Sequence, residues 1–378
     1  MTNIIIFSDF YFPSVKAGGP LKSISLIAGD LSRNNRIVIY TSTKDKNGKN
    51  ELKNISKETL VKRDKYYIFY TRHPLLNLIP FISNSRPSIL WLNSFFSFTT
   101  IAVLILTKIS FTNTHVLISP RGELLEGALN IKNFKKIFYL YVTNFVGLFK
   151  NTYFHVTSED ETNSIQNNVR VFRQIYTIHN LIKSSSLQPL RKDCKKLKII
   201  FLSRISKKKN LLFAIKILGQ IKNIIIQFDI YGPIEDHNYW TKCKLLIKTL
   251  PPNISVSYKG LIFSQDVTKR LRNYHVFFLP TMDENFGHAI VEAMQSGVLP
   301  LISDNTPWKD VGEYNAGWAL SLDKPIDYEN AIIEVSRLNA EGFYLKSLNC
   351  INYIKNKCDN EISSSKYHSM IKDILDST

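Results

Sequence analysis

The chain has 378 residues, 44% of them hydrophobic and 21% charged, which provides two domains of ordinary size and excludes a disordered chain. Its four cysteines, Cys194, Cys243, Cys350 and Cys358, have neither disulfide nor metal-ligand spacing, which excludes a disulfide scaffold or zinc module and points to a reduced, cytosolic setting. The net charge is +18 and unevenly placed: residues 1–250 carry 37 basic and 15 acidic side chains, residues 251–378 carry 12 and 16.

Apolar runs in the N-terminal half predict strands over residues 3–8, 37–41, 67–70, 89–92, 115–119 and 153–156, with helical stretches between them. Residues 1–9 lack the basic start and long apolar core of a signal peptide, so Ile4-Ile5-Ile6-Phe7 reads as a first buried strand. The loop after it carries Gly18 and Gly19, which allow close approach to a phosphate or sugar. It lacks the third glycine and downstream acid of a dinucleotide fingerprint. Residues 89–111 are mostly apolar, but Asn93, a run of Ser and Thr, and Lys108 interrupt them; a buried helix is expected there, with shallow membrane contact as the alternative, and not a membrane span. After the fifth strand comes Ser119-Pro120-Arg121-Gly122-Glu123-Leu124, in which Arg121 and Glu123 either contact ligand or pair to shape the turn. Thr157-Ser158-Glu159-Asp160-Glu161 has capping-box spacing, with Ser158 as N-cap and Glu161 three residues on. His155 and His179 read as satisfied polar residues.

Residues 178–196 hold Ser184-Ser185-Ser186, Pro189 and five basic residues without periodicity, and read as an interdomain linker. Beyond them, strands are expected over 197–203, 225–231, 254–259, 275–279 and 299–302. This alternation predicts parallel sheets flanked by helices, one per half. The first of these strands runs into Arg204 and Lys209, five residues apart at a strand's C-terminal end, where open α/β sheets bind ligands. Fixed cations there would hold an anionic ligand group without a metal. Lys207 and Lys208 read as solvated, and Gly232, after the next strand, serves through its backbone.

The most informative stretch is Asp283-Glu284-Asn285-Phe286-Gly287-His288-Ala289-Ile290-Val291-Glu292. It sets two carboxylates eight positions apart around a glycine-containing helix start. A helix from near Phe286 carries Glu292 roughly 9 Å along its axis, too far for the two acids to share a proton or metal ion. The N–H groups of Phe286, Gly287 and His288 point from the helix tip, where the macrodipole favours an anion. Hydroxyl, phosphate, hydroxyl is the ligand order this spacing suggests. No P-loop, zinc ligand set, Ser/His/Asp order or Asp-x-Asp tripeptide occurs.

Acid, seven residues, acid at a helix start resembles the signature of the GT-B glycosyltransferases of family 4, and Gly297 followed by an apolar strand is similar to that family's next turn. The resemblance implies two Rossmann-like domains with a cleft between them: an acceptor-side domain over 1–177, the linker 178–196, a donor domain over 197–345, and helices over 346–378 packing back towards the first. It implies that Glu284 binds donor-sugar hydroxyls, that Glu292 binds the ribose, and that Arg204 and Lys209 are the loop cations, although Asn210 stands where many relatives have Gly. Gly18, Gly19, Gly232, Asn285, Phe286, Gly287 and His288 complete the expected donor site. The Arg121 motif resembles a branch that builds bacterial surface polysaccharides, in which Arg121 would meet a donor or acceptor phosphate and Glu123 an acceptor hydroxyl. That loop lacks the histidine many relatives have, so no general base is carried over.

The expectation is a retaining glycosyltransferase without metal or other cofactor, using a UDP-, GDP- or similar nucleotide sugar and a glycan or lipid-linked acceptor in capsule, O-antigen or exopolysaccharide assembly. The basic surface fits an anionic membrane, with the protein peripheral on the inner face of the plasma membrane. Nucleic acid is not expected, because zinc-finger spacing, aromatic RNA-binding motifs and basic heptad helices are missing. A sugar-nucleotide epimerase or hydrolase of the same fold, or a non-catalytic sugar-nucleotide-binding subunit, are the competing readings.

Overall fold

The computed structural model describes residues 1–14, 19–44, 51–52, 55–110, 113–129, 133–183, 187–192 and 196–377. Two compact units emerge, one of Met1–Lys183 with Asp359–Thr378 and one of Ser184–Cys358. Each is a parallel sheet with helices packed on it, the α/β architecture expected from the alternating runs.

In the first unit the order is β1 (Thr2–Ser8), α1 (Gly19–Leu31), β2 (Asn35–Ser42), β3 (Leu60–Arg63), β4 (Tyr66–Thr71), α2 (Leu78–Ser85), β5 (Ile89–Leu92), α3 (Phe98–Ile109), β6 (His115–Ile118), α4 (Glu126–Leu129), α5 (Asn133–Phe145), β7 (Thr152–Val156), α6 (Glu159–Asn168) and β8 (Gln174–Thr177). The sheet runs β3-β4-β2-β1-β5-β6-β7-β8, antiparallel only at the β3–β4 edge. Ile4, Ile5, Ile6 and Phe7 are all buried, because a central parallel strand is covered on both faces.

In the second unit follow β9 (Leu197–Leu202), α7 (Leu211–Gln220), β10 (Ile226–Tyr231), α8 (His237–Ile247), β11 (Ile254–Gly260), α9 (Val267–Leu271), β12 (Val276–Leu279), α10 (His288–Gln295), β13 (Leu299–Ser303), β14 (Trp318–Leu320), α11 (Pro325–Arg337) and α12 (Ala340–Lys357). Their sheet order is β11-β10-β9-β12-β13-β14. The direction of winding reverses between β9 and β12, so the loops leaving these two strands flank a topological switch point.

The sequence expectations missed β3, β8 and β14. All are edge strands whose residues are at most half-buried, so they lack the apolar run that marks a central strand. The stretch read as a linker is divided: Ile178, Leu181 and Ile182 are buried in the first unit, where the Ile182 backbone bonds Asn360 in both directions at 2.9 and 2.7 Å. Leu190 instead donates to Ser347 of α12. The terminal helices also divide. α12 stays with the second unit, Ser347 donating to the Gly297 carbonyl at 2.7 Å, while α13 (Asn360–Asp376) buries Tyr367, Met370, Ile371 and Ile374 in the first unit's core. The segment expected as a buried helix is α3, which buries only Thr100, Val103 and Leu104. Among the described residues, no helix is long and apolar enough to cross a membrane.

Candidate functional site

The loops after β9 and β12 are laced together at the switch point. Met282 N–H and the Thr281 hydroxyl both donate to the Lys208 carbonyl, at 2.8 and 3.1 Å. Lys208 bonds Asp283 at 2.8 Å, and Lys209 bonds Glu284 Oε2. Lys209 is buried and Glu284 half-buried, so their charges meet away from bulk water. Removing one partner of such a pair strands the other charge, at a cost of about 3–5 kcal/mol when burial is full. Lys208, expected as a solvated turn residue, is thus part of the same scaffold.

Gly287 sits at φ +75° as the N-cap of α10, and a Cβ there would lie 2.8 Å from Ile290 Cδ1 and 3.0 Å from Glu284 Cγ. Glycine suits the left-handed backbone, and any larger residue would have to push these two side chains aside. The helix starts at His288, two residues after the expected point. Phe286 is buried against Trp308, whose indole N–H donates to the Phe286 carbonyl at 2.6 Å, and its ring meets that of His288 at 4.8 Å. Asn285 Oδ1 is buried and makes no hydrogen bond. Glu292 lies five residues past Gly287, roughly 7.5 Å along the axis.

Arg204 is directed elsewhere. Its Nη1 meets Glu235 Oε1 and Oε2 at 2.6 and 2.9 Å, with the two side chains 36% and 42% exposed. The structure therefore brings Lys209, Glu284, Asn285 and the α10 tip together, while Arg204 pairs across the loop after β10. There Gly232, at φ +137°, permits an approach that a Cβ would block, since it would fall 1.8 Å from the Ser203 carbonyl oxygen. A cavity of about 350 Å³ adjoins, lined by Tyr231, Lys259, Leu261, Ile262, Phe263 and Arg270 among others.

In the first unit, Gly18 lies outside the described residues and Gly19 is the first residue of α1. Arg121 and Glu123 do not pair with each other, contrary to the ion-pair alternative. Arg121, at φ +55°, donates to Asn93 Oδ1 at 2.7 and 3.0 Å and to Asn180 Oδ1 at 3.0 Å. Burial lowers its pKa from the ordinary value, outweighing Tyr367 and Glu161. The Glu123 carboxylate accepts from the N–H groups of Phe95 and Phe96 at 2.7 and 3.1 Å and from the Ser94 hydroxyl. Burial raises its pKa despite these bonds. Ser158 caps α6 as expected, but Glu161 completes no reciprocal box. Its carboxylate accepts from Gly122 and Thr157 N–H groups at 2.5 and 2.9 Å, fastening the Arg121 loop to α6. His155 is buried between Ser119 Oγ at 2.8 Å and the Tyr367 hydroxyl at 3.0 Å, and burial together with Arg121 holds its pKa well below the usual histidine range.

Sequence reasoning missed Asp283, Glu235, Asn93, Asn180 and Trp308. Each acts through a contact distant in sequence that no local spacing announces. Among the described residues, no three His, Cys, Asp or Glu side chains cluster as a metal site.

Residues 182–356 match the family model "Glycosyl transferases group 1". No curated protein matches the chain at a significant level. Solved structures resemble it over nearly its whole length. Sucrose-phosphate synthase from Thermosynechococcus elongatus has a TM-score of 0.80 at 13% identity, covering 100% of both chains. Anabaena HepE, solved with UDP and glucose, has a TM-score of 0.72 at 15% identity over 98% of this chain and 100% of its own. S. aureus TarM, solved as a point mutant with Fondaparinux, alpha-GlcNAc-glycerol and UDP, has 0.70 at 13% over 99% and 100%. These likenesses fix the fold, and the family match covers the unit that carries the paired lysine and glutamate: the chain has the GT-B fold, and its second unit matches the glycosyl transferases group 1 model.

Proposed function

We propose that the chain moves a hexose-type sugar from a nucleoside diphosphate sugar to a glycan or lipid-linked glycan, with retention at the anomeric carbon and without a metal ion. The observation that carries this reading is the Lys209–Glu284 pair beside the α10 tip, at the switch point of the second unit's sheet. The helix tip and Lys209 suit the diphosphate, and the Lys209 bond to Oε2 leaves Glu284 Oε1 to accept from sugar hydroxyls. Arg204 would join them by exchanging Glu235 for phosphate oxygens, and Glu292 would take the ribose. The cavity beyond Tyr231 combines apolar walls with Lys259, Asp266 and Arg270, which suits a nucleotide base held by a few polar groups. In this reading Asn285 Oδ1 gains its missing donor from the ligand, and the leaving phosphate accepts the acceptor's proton. Gly18 and Gly19 would approach the donor, and Arg121 would meet a phosphate of the acceptor.

An acceptor in capsule, O-antigen or exopolysaccharide assembly, reached at the inner face of an anionic membrane, is supported by the Arg121 motif, the basic charge, and the likeness to WaaB, described as a lipopolysaccharide outer core galactosyltransferase. Purified protein is to be incubated with a panel of nucleotide sugars, with and without lipid-linked glycans, in the presence of EDTA. Transfer that needs both substrates and survives the chelator supports the proposal. Donor breakdown or isomerisation without acceptor supports the epimerase or hydrolase reading, and no turnover with any pair supports a binding subunit.

A further inference from the structure

We propose that α3 and α5 form a docking face for an anionic lipid bilayer, with α5 lying flat in the interface. On α5 the side chains of Phe134, Phe138, Tyr141 and Phe145 are 84%, 61%, 68% and 81% exposed. Their positions, i, i+4, i+7 and i+11, place four aromatic rings along one side of a single helix. Ordinarily such a stripe packs inward. Here, among the described side chains of α5, Leu140 and Thr143 are the buried ones, and Tyr139 fastens the helix to the body through its hydroxyl bond to the Phe95 carbonyl and its contact with the Phe96 ring.

The neighbouring helix repeats the spacing: Phe98, Ile105 and Ile109 of α3 stand at i, i+7 and i+11 and are 80%, 44% and 72% exposed. Lys108 of α3 donates to the carbonyls of Val146 and Gly147 just past α5, so the C-terminal ends of the two helices lie side by side. Large apolar side chains exposed together on two adjoining helices mark an interaction face.

Charge selects the occupant. Residues 98–150 carry six basic and two acidic side chains, and one of those acids, Glu123, is taken up by backbone N–H groups. Lys135 on α5 and Lys150 shortly after it are exposed. Aromatic rings flanked by lysines match the layering of a bilayer surface, where rings enter the headgroup boundary and ammonium groups meet lipid phosphates. With 13 residues, α5 is too short to span a bilayer but suits lying in its surface. This inference rests on the membrane placement proposed above and names the surface responsible; its test does not depend on sugar transfer.

The test is cosedimentation with phosphatidylglycerol-containing vesicles and with phosphatidylcholine vesicles, comparing the full chain with the variant Phe138→Glu, Phe145→Glu. Both positions are exposed, so thermal stability and nucleotide binding are expected to stay unchanged, which separates failure of this proposal from failure of the transferase reading. Wild type is expected to pellet with the anionic vesicles and weaken as salt rises, and the variant to lose at least tenfold in partitioning. Equal sedimentation of wild type and variant, no preference for anionic lipid, or no vesicle binding at all would overturn the proposal. So would a lipid-free dimer that the double substitution converts to monomer, because the face would then join two copies of this chain.

Discussion

Lys209 and Glu284, 75 residues apart in sequence, form a partly buried ion pair that ties the loop after β9 to the loop after β12. The two residues expected to serve opposite parts of a ligand, the diphosphate and the sugar, thus hold each other in place before any ligand arrives. Preorganisation of this kind spares the site the cost of ordering two side chains on binding.

From this pairing follows a coupling. Lys209→Met and Glu284→Gln are each expected to lower kcat/KM by at least about a hundredfold. The double variant is expected to be little worse than the poorer single one, since each substitution already dismantles the shared unit. Steady-state kinetics on the three proteins checks this; independent, multiplying losses would show that the residues act separately.

Two glycines are expected to differ in how much they tolerate a methyl group. Gly232→Ala drives Cβ into a backbone carbonyl oxygen at 1.8 Å, whereas Gly287→Ala meets two side chains at 2.8 and 3.0 Å that can shift. Both also carry the left-handed strain, roughly 1–3 kcal/mol. Thermal unfolding should therefore rank Gly232→Ala well below Gly287→Ala. For the latter, loss of nucleotide binding should outrun loss of stability, because the added methyl presses on Glu284. The reverse order of stability would contradict the assigned geometry.

His155 gives the first unit a pH dependence. Its folded pKa is depressed below 6.5 by burial and by Arg121, so as pH falls below about 6.5 the unfolded chain binds a proton that the folded imidazole refuses. The stability contributed by the neutral ring is present above that pH and is lost as pH falls through the depressed folded value. Melting temperature should drop in this window for wild type and drop less steeply in His155→Gln. Parallel curves for the two proteins would exclude His155 as the source.

Glu123 offers a way to separate shape from chemistry. Glu123→Ala strands the N–H groups of Phe95 and Phe96, which should destabilise by about 1–3 kcal/mol. Donor binding is expected to be unaffected, and Glu123→Gln to recover part of the stability. A variant of wild-type stability with impaired transfer would instead place Glu123 at the acceptor.

The central strands were legible because parallel strands buried on both faces leave unbroken apolar runs, as in Ile4-Ile5-Ile6-Phe7 and Val276–Leu279. Leu60–Arg63, at the antiparallel edge, was not, since two of its four residues are charged and face solvent. Gly287 could be read as the helix start because its role is local. That Arg204 would find Glu235, and Arg121 the amides of Asn93 and Asn180 in place of Glu123, depends on which strands become neighbours, and spacing along the chain does not encode it. The aromatic stripe of α5 hid for a different reason: a helical apolar period looks the same whether it faces a core or a lipid surface.

Calorimetric titration of UDP, GDP and ADP into the wild-type chain, Arg204→Ala and Lys209→Ala tests the central claim most directly. The expected result is that at least one diphosphate binds the wild-type protein and binds each variant at least tenfold more weakly, with Lys135→Ala, an exposed position on α5, as an unchanged control. If no diphosphate binds, or if both variants bind as wild type does, the α10 tip and its lysine are not the donor site.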